Sequence, residues 1–239
     1  MSWLLRQYPP VTEFVWRTLA VVALVGTWAP RTQPASSNDE RAPSQFGVRL
    51  ETSKGAILIQ VHRDWAPHGA DRFYRLVRDG YYDDNRFFRV VKGQWAQFGI
   101  SGDPAVASAW RALTIADDPP MQSNVRGTVT FAFAVPRGQA TQVYIALGDL
   151  SARQDAQGFV PFGRVVEGMD VADGLNAEYG EAAGGGIRGG RQQPLFEGGN
   201  AYLDREFPRL DRIVRASVVG EPGSDPALTP AHERHFVGQ

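Results

Sequence analysis

Few residues in this chain are of the types that carry covalent chemistry. It contains no Cys, which excludes a thiol nucleophile, a disulfide framework, a thiolate metal site and lipidation on Cys. Ser101 lies in Gly99-Ile100-Ser101-Gly102-Asp103, which resembles a nucleophile elbow. The last position is Asp rather than Gly, and no helix is expected after it, so hydrolase chemistry is set aside. His62, His68, His232 and His235 show no metal-ligand spacing. The pairs Asp83-Asp84 and Asp117-Asp118 stand beside turn residues and read as solvated loops rather than a glycosidase pair. The glycines at 184–186 and 189–190 lack the strand-loop-helix context of a phosphate loop and read as a flexible insertion. Elimination marks no group for covalent chemistry; among the cations, nearly all of them Arg, stands Arg89 in Phe87-Phe88-Arg89-Val90-Val91, which spacing does not single out. On spacing alone Arg89 is an arginine at a strand end, solvated or paired with an acid. As chemistry, a fixed guanidinium stabilises a developing lone pair or oxyanion and needs no cofactor or metal.

The composition supports a folded domain and no charged partner. Apolar residues make up 43% of the chain, charged residues 21% and aromatic residues 11%, the balance of an ordinary globular protein. With 25 Lys plus Arg against 26 Asp plus Glu, no global field draws the chain to nucleic acid or an anionic membrane. At the N-terminus Arg6 and Arg17 precede an uncharged apolar run from Leu19 to Ala29. That run has the length of a signal-peptide core and falls short of the roughly 20 residues of a spanning helix. Residues 1–29 are therefore expected to be a signal peptide or a membrane anchor, which makes the protein periplasmic, extracellular or membrane-anchored. The Pro- and Ser-rich stretch 30–45 reads as a disordered linker, 46–220 as the folded domain and 221–239 as a disordered tail.

Within 46–220, alternation over Val48–Thr52, the turn Ser53-Lys54-Gly55 and the run Ala56–Val61 predict a hairpin. Asp64 and Pro67 open a helix with Phe73, Leu76 and Val77 on one face, and Gly80 ends it. Short β-like runs at 86–91, 95–100, 127–135, 142–147 and 161–166, separated by Gly and Asp/Asn turns, predict a closed or sandwiched antiparallel sheet. A second short helix is expected at 169–175, irregular chain at 180–199, a helical turn at 201–207 and a last strand at 212–219.

The motifs narrow this outline. Asp64-Trp65-Ala66-Pro67 through Phe73, Gly80-Tyr81-Tyr82 through Phe87-Phe88-Arg89-Val90, and Gln97-Phe98-Gly99 with Gly102-Asp103-Pro104 occur in that order. They are followed by Gly127-Thr128-Val129-Thr130-Phe131-Ala132, Thr141-Gln142-Val143-Tyr144-Ile145 and Phe162-Gly163-Arg164-Val165-Val166-Glu167-Gly168-Met169. Together these six collinear segments resemble the cyclophilin-type peptidyl-prolyl cis-trans isomerases. The resemblance implies a mainly β fold, a closed eight-stranded antiparallel barrel capped by two helices. It also implies proline-containing peptides or unfolded exported proteins as partners.

The family pattern implies that Arg89 stabilises the twisted amide, that Gln97 holds its guanidinium and that Gln142 binds peptide backbone. Substrate-binding positions carried over from the pattern are Phe87, Gln94, Trp95, Ala132, Phe133, Gln142, Tyr144, Gln154 and Phe159. The proline pocket departs from the pattern. Gln94 and Trp95 stand for a Phe and a Met, Tyr144 for another aromatic, Gln154 for a Leu and Phe133 for a small polar residue. Full burial of an apolar group is worth about 1.5–3 kcal/mol, so a more polar pocket implies weaker proline binding unless the Trp95 ring compensates. A catalytically weak or inactive domain that binds proline-containing peptides or a partner protein is the alternative.

Overall fold

The structure, a computed structural model, describes residues 41–184 and 191–220. The segment expected to be a signal or anchor, residues 30–40 of the linker, the tail 221–239, the two C-terminal histidines and the glycines at 185, 186, 189 and 190 lie outside the described residues. The packed chain begins earlier than the expected boundary at Phe46. Ala42 is buried, and its N–H donates to Asp71 Oδ1 at 2.9 Å.

Nine strands form one antiparallel sheet. They are β1 (Gln45–Thr52), β2 (Gly55–His62), β3 (Asn85–Arg86), β4 (Arg89–Val91), β5 (Trp95–Phe98), β6 (Thr128–Phe131), β7 (Val143–Ala146), β8 (Pro161–Glu167) and β9 (Arg212–Val219). Their order is β3-β9-β1-β2-β8-β6-β7-β5-β4. β1 and β2 make the expected hairpin, closing from Gln45↔His62 to Thr52↔Gly55. Gly55 takes φ 136°, which a residue with a Cβ rarely adopts.

The two end strands of the order, β3 and β4, are consecutive pieces of one segment. Only Phe87 and Phe88 separate them, so the hydrogen-bonded ladder is open there while the chain itself spans the gap. Counting this bent segment once returns the expected eight strands. Phe87 turns into the barrel core with Val48, Ile59, Phe73, Phe98 and Ile145. Phe88 turns outward into a second cluster.

Helix α1 (Pro67–Arg78) closes one end of the barrel with Phe73, Leu76 and Val77 buried on its inner face. Its N-terminus is not capped by its own preceding residue. Asp118 supplies the cap from far along the chain, accepting from the N–H groups of His68 at 2.9 Å and Gly69 at 2.8 Å. This corrects the solvated reading of the Asp117-Asp118 pair, because Asp118 is buried where two orphan helix donors need it. Asp83 likewise holds β9, its Oδ1 accepting from the Ala216 N–H at 2.9 Å.

Two further helices depart from expectation. A helix does follow Ser101: Asp103 Oδ1 caps the Ala105 N–H at 2.8 Å, Pro104 occupies the first turn, and α2 runs Pro104–Arg111. The irregular chain and helical turn expected between 180 and 207 are in large part α5 (Gln193–Glu206), kinked at Gly199 with φ 54°. α2 and α5 meet around Phe88, Ile100, Ala107, Leu195, Phe196 and Leu203, outside the barrel core. Short helices α3 (Ser151–Gln154) and α4 (Met169–Asp173) complete the described chain. No helix among the described residues is long and apolar enough to cross a membrane.

Candidate active site

Strand alternation puts one set of side chains inside the barrel and the other on its outer face. From β4, β5 and β7 the residues Val90, Ala96, Phe98, Val143 and Ile145 enter the core. The alternate residues Arg89, Trp95, Gln97 and Tyr144 therefore share the outer face. The register aligns them: Arg89 lies opposite Gln97, and Gln97 opposite Tyr144, in one row across three strands.

Arg89 is fixed from three directions. Its Nη1 donates to Gln97 Oε1 at 3.1 Å, its Nη2 donates to Glu181 Oε1 at 2.5 Å, and its guanidinium lies 4.5 Å from the Trp95 ring centroid. The Nε is buried and has no acceptor among the described residues. Gln97, 3% exposed, donates in turn to Gln142 Oε1 at 2.8 Å.

A cavity of about 210 Å³ opens beside this arginine. Arg89, Trp95, Gln97, Ala132, Phe133, Tyr144, Gln154 and Phe159 are among the residues that line it. Phe133 stacks on Phe159 with centroids 4.2 Å apart, and Tyr144 meets Phe159 edge-on at 5.9 Å. The Trp95 Nε1 and Gln154 Oε1 atoms are also buried without a partner among the described residues. The cavity thus combines the aromatic residues Trp95, Phe133, Tyr144 and Phe159 with the polar residues Arg89, Gln97 and Gln154. An adjoining groove of about 300 Å³ shares Ala132 and Gln192 with it and includes Gln142, Arg111 and Phe196.

Two residues singled out from sequence fall elsewhere. Phe87 is fully buried in the barrel core against Phe98, at 5.4 Å between centroids, because the alternation that points Arg89 outward points Phe87 inward. Gln94 sits in the tight turn before β5 after Gly93, is exposed, and does not line the cavity.

Several residues at the site were not read from sequence, among them Glu181, Gln192, Arg153 and Asn124. Glu181 reaches Arg89 across 92 positions. Gln192 accepts from Gln142 Nε2 at 2.9 Å, arriving just before α5. Arg153 also lines the cavity. Asn124 is fully buried behind Tyr144, and its side chain joins four groups. Its Oδ1 accepts from Tyr144 Oη at 2.7 Å and Thr130 Oγ1 at 2.9 Å, while its Nδ2 donates to Asp155 Oδ1 at 2.8 Å and the Phe159 carbonyl at 2.7 Å. Asn124 had no local sequence signal. The residues leading into α5 offered none for Gln192 either, since its partner Gln142 lies 50 residues away.

Burial pushes the Tyr144 hydroxyl well above its ordinary value, so it remains a neutral donor to Asn124. For Asp155, burial acts to raise the carboxyl, but hydrogen bonds from the Asn124 side chain, the Asn124 N–H and Ser123 outweigh it and hold the group below its usual range.

The sequence and the fold have counterparts among known proteins. The family described as "Cyclophilin type peptidyl-prolyl cis-trans isomerase/CLD" matches residues 47–188. The chain belongs to that family. Among curated cyclophilin relatives, the "Peptidyl-prolyl cis-trans isomerase A" of Dickeya dadantii is 31% identical over 155 residues, covering 60% of this chain and 77% of that protein. The "Peptidyl-prolyl cis-trans isomerase-like 4" of Cryptococcus neoformans is 29% identical over 187 residues, covering 71% of this chain. The chain spans only 36% of the length of that larger relative. In three dimensions a cyclophilin of Cryptosporidium parvum superposes with a TM-score of 0.54 at 18% identity, covering 74% of this chain and 99% of its own. A second structure of that protein was determined in the presence of the dipeptide Ala-Pro, with a TM-score of 0.52, 18% identity and coverage of 73% and 99%.

Proposed function

We propose that this cyclophilin catalyses cis–trans isomerisation of X-Pro bonds in peptides seated in the cavity, with Arg89 stabilising the twisted amide. Amide resonance imposes a barrier of about 18–20 kcal/mol on that rotation. Rotation forms and breaks no bond. As conjugation is lost, the prolyl nitrogen becomes pyramidal and regains its lone pair, and a donor that meets this nitrogen or the carbonyl oxygen binds the twisted state more tightly than either planar state. Each 1.36 kcal/mol of such differential binding is tenfold in rate.

The observation that carries this reading is the part-exposed Arg89 guanidinium, held by Gln97 and Trp95, in a cavity lined by aromatic side chains. Gln97 and Trp95 hold the guanidinium, so the donor is already oriented when peptide arrives. Trp95, Phe133, Tyr144 and Phe159 offer apolar faces to a proline ring, which fits the Ala-Pro dipeptide used with the Cryptosporidium parvum relative. Clients among exported proteins are supported by the Arg6, Arg17 and Leu19–Ala29 pattern.

A second reading, binding of proline segments without turnover, is favoured by one contact: Glu181 already engages Arg89 Nη2. The full-length chain and its Arg89→Ala variant, assayed for isomerisation and for affinity toward a proline peptide, separate the two. Catalysis by the wild type and none by the variant is expected. A wild-type rate equal to buffer, with affinity retained, would establish the second reading instead.

A further inference from the structure

A chain of hydrogen bonds continues past Gln97 and leaves the barrel. Arg89 Nη1 donates to Gln97 Oε1 at 3.1 Å, Gln97 Nε2 to Gln142 Oε1 at 2.8 Å, Gln142 Nε2 to Gln192 Oε1 at 2.9 Å, and Gln192 Nε2 to the Gly184 carbonyl at 3.1 Å. The two ends fix its direction. A guanidinium only donates and a backbone carbonyl only accepts. Each amide between them therefore has one orientation, oxygen toward Arg89 and nitrogen toward Gly184.

Turning any one of the three would set oxygen against oxygen and nitrogen against nitrogen. Gln97, Gln142 and Gln192 are 3%, 8% and 4% exposed, so solvent has little access to repair such a mismatch, and buried polar groups left unpaired are costly. Along this chain Gln192 stands two amides away from Arg89. Its own amide is tied at the oxygen to Gln142 and at the nitrogen to Gly184, on the segment leading into α5.

We propose that Gln192 is a positioning residue for the isomerase reaction, setting the Gln142 and Gln97 amides and through them the plane of the Arg89 guanidinium. This rests on the catalytic reading of Arg89 given above. The strands supply the arginine, and the segment before α5 supplies the polarity that holds it.

Two variants of the full-length chain test this, each read by steady-state kinetics and by the NMR resonance of the Arg89 Nε–H. Gln192→Leu removes both ends of the link. It should lower kcat by roughly tenfold to hundredfold, the scale of a small misplacement of a catalytic group, with KM little changed and the Arg89 resonance shifted. Gln192→Glu makes the link titratable. As a neutral carboxylic acid it accepts from Gln142 and donates to Gly184, as glutamine does. Once ionised it can donate nothing and sets charge against the Gly184 carbonyl. Its kcat should approach wild type at the acid end and fall as pH rises through the introduced carboxyl's titration, a step absent from the wild-type profile.

That pH-dependent rescue does not follow from a merely structural role, and it keeps the test intact should the leucine variant fold poorly. If both variants leave the Arg89 resonance unchanged, or shift it without altering kcat, the inference is overturned. A wild type no faster than buffer would sink the isomerase reading, and the Arg89 resonance alone would then decide whether Gln192 orients the guanidinium.

Discussion

The guanidinium of Arg89 rests on the face of Trp95, 4.5 Å from the ring centroid, with the two residues on paired strands of the barrel's outer face. Trp95 thus both lines the cavity and is the platform of the arginine. Cation–π contacts contribute about 0.5–2 kcal/mol according to their desolvation. Trp95→Ala should therefore lower kcat/KM by roughly 3- to 30-fold, whereas Trp95→Phe, which keeps an aromatic face, should lose less. A proline-peptide assay of the two variants checks this, and equal losses in both would separate the ring from the effect.

Glu181 is half exposed and contacts the guanidinium at 2.5 Å, so on the proposed mechanism it would compete with bound peptide for Arg89. An ion pair of that exposure is worth about 0–1 kcal/mol, so releasing it changes a rate by about fivefold at most. Glu181→Gln is expected to raise kcat/KM by up to about fivefold, with the largest gain at low ionic strength, where the pair is least screened. A fall in activity would instead assign Glu181 to holding the arginine in place.

The Asn124–Asp155 network behind Tyr144 should be acid-sensitive. Asp155 is held below the ordinary carboxyl range by the Asn124 and Ser123 hydrogen bonds, against the opposing effect of burial. A depressed carboxyl stabilises the fold at pH values above its unfolded value of about 3.9, and that stabilisation is lost as pH falls through the lower folded value. Asp173, paired with Arg126, shifts in the same direction. Thermal stability is expected to drop below about pH 4, and Asp155→Asn should flatten that part of the profile. Melting curves across the acid range up to neutrality, monitored by circular dichroism, measure it.

The Asp118 cap of α1 gives a prediction on stability alone. Removing a capping side chain costs about 0.5–2 kcal/mol, and Asp118→Ala leaves the His68 and Gly69 N–H groups without their acceptor. A loss near the upper end, on the order of 2 kcal/mol, is expected because Asp118 is buried, with unchanged isomerase activity per folded molecule. Denaturant unfolding gives the number.

What was legible in the sequence depended on how local its cause was. The β1–β2 hairpin and α1 followed from alternation, a turn and one apolar helix face, all within short windows. β5, β6 and β7 are buried along their whole length, so alternation was hidden there and short β-like runs between turn residues located them. α2 was missed although Asp103-Pro104 is a readable start, because only Ala107 and Trp110 of its residues are buried. α5 was obscured by Gly198 and Gly199 in its middle, where the chain kinks but the helix resumes. In the site, Arg89, Gln97 and Gln142 were named by the family resemblance. Glu181, Gln192 and Asn124 act through contacts whose partners are 92, 50 and 20 residues distant, and no pattern in one chain records such pairings.

The pairing of β1 with β9 also bears on how the molecule is made. Gly47 meets Val219 and Leu50 meets Ala216, so a strand at the start of the described chain waits for one at its end. During synthesis β1 can hairpin with β2 at once, yet its other edge stays unpaired until β9 has left the ribosome. Contacts that distant make barrel closure slow relative to hairpin formation. Over that interval the nascent chain carries an open strand edge, the kind of surface to which other extended chains add.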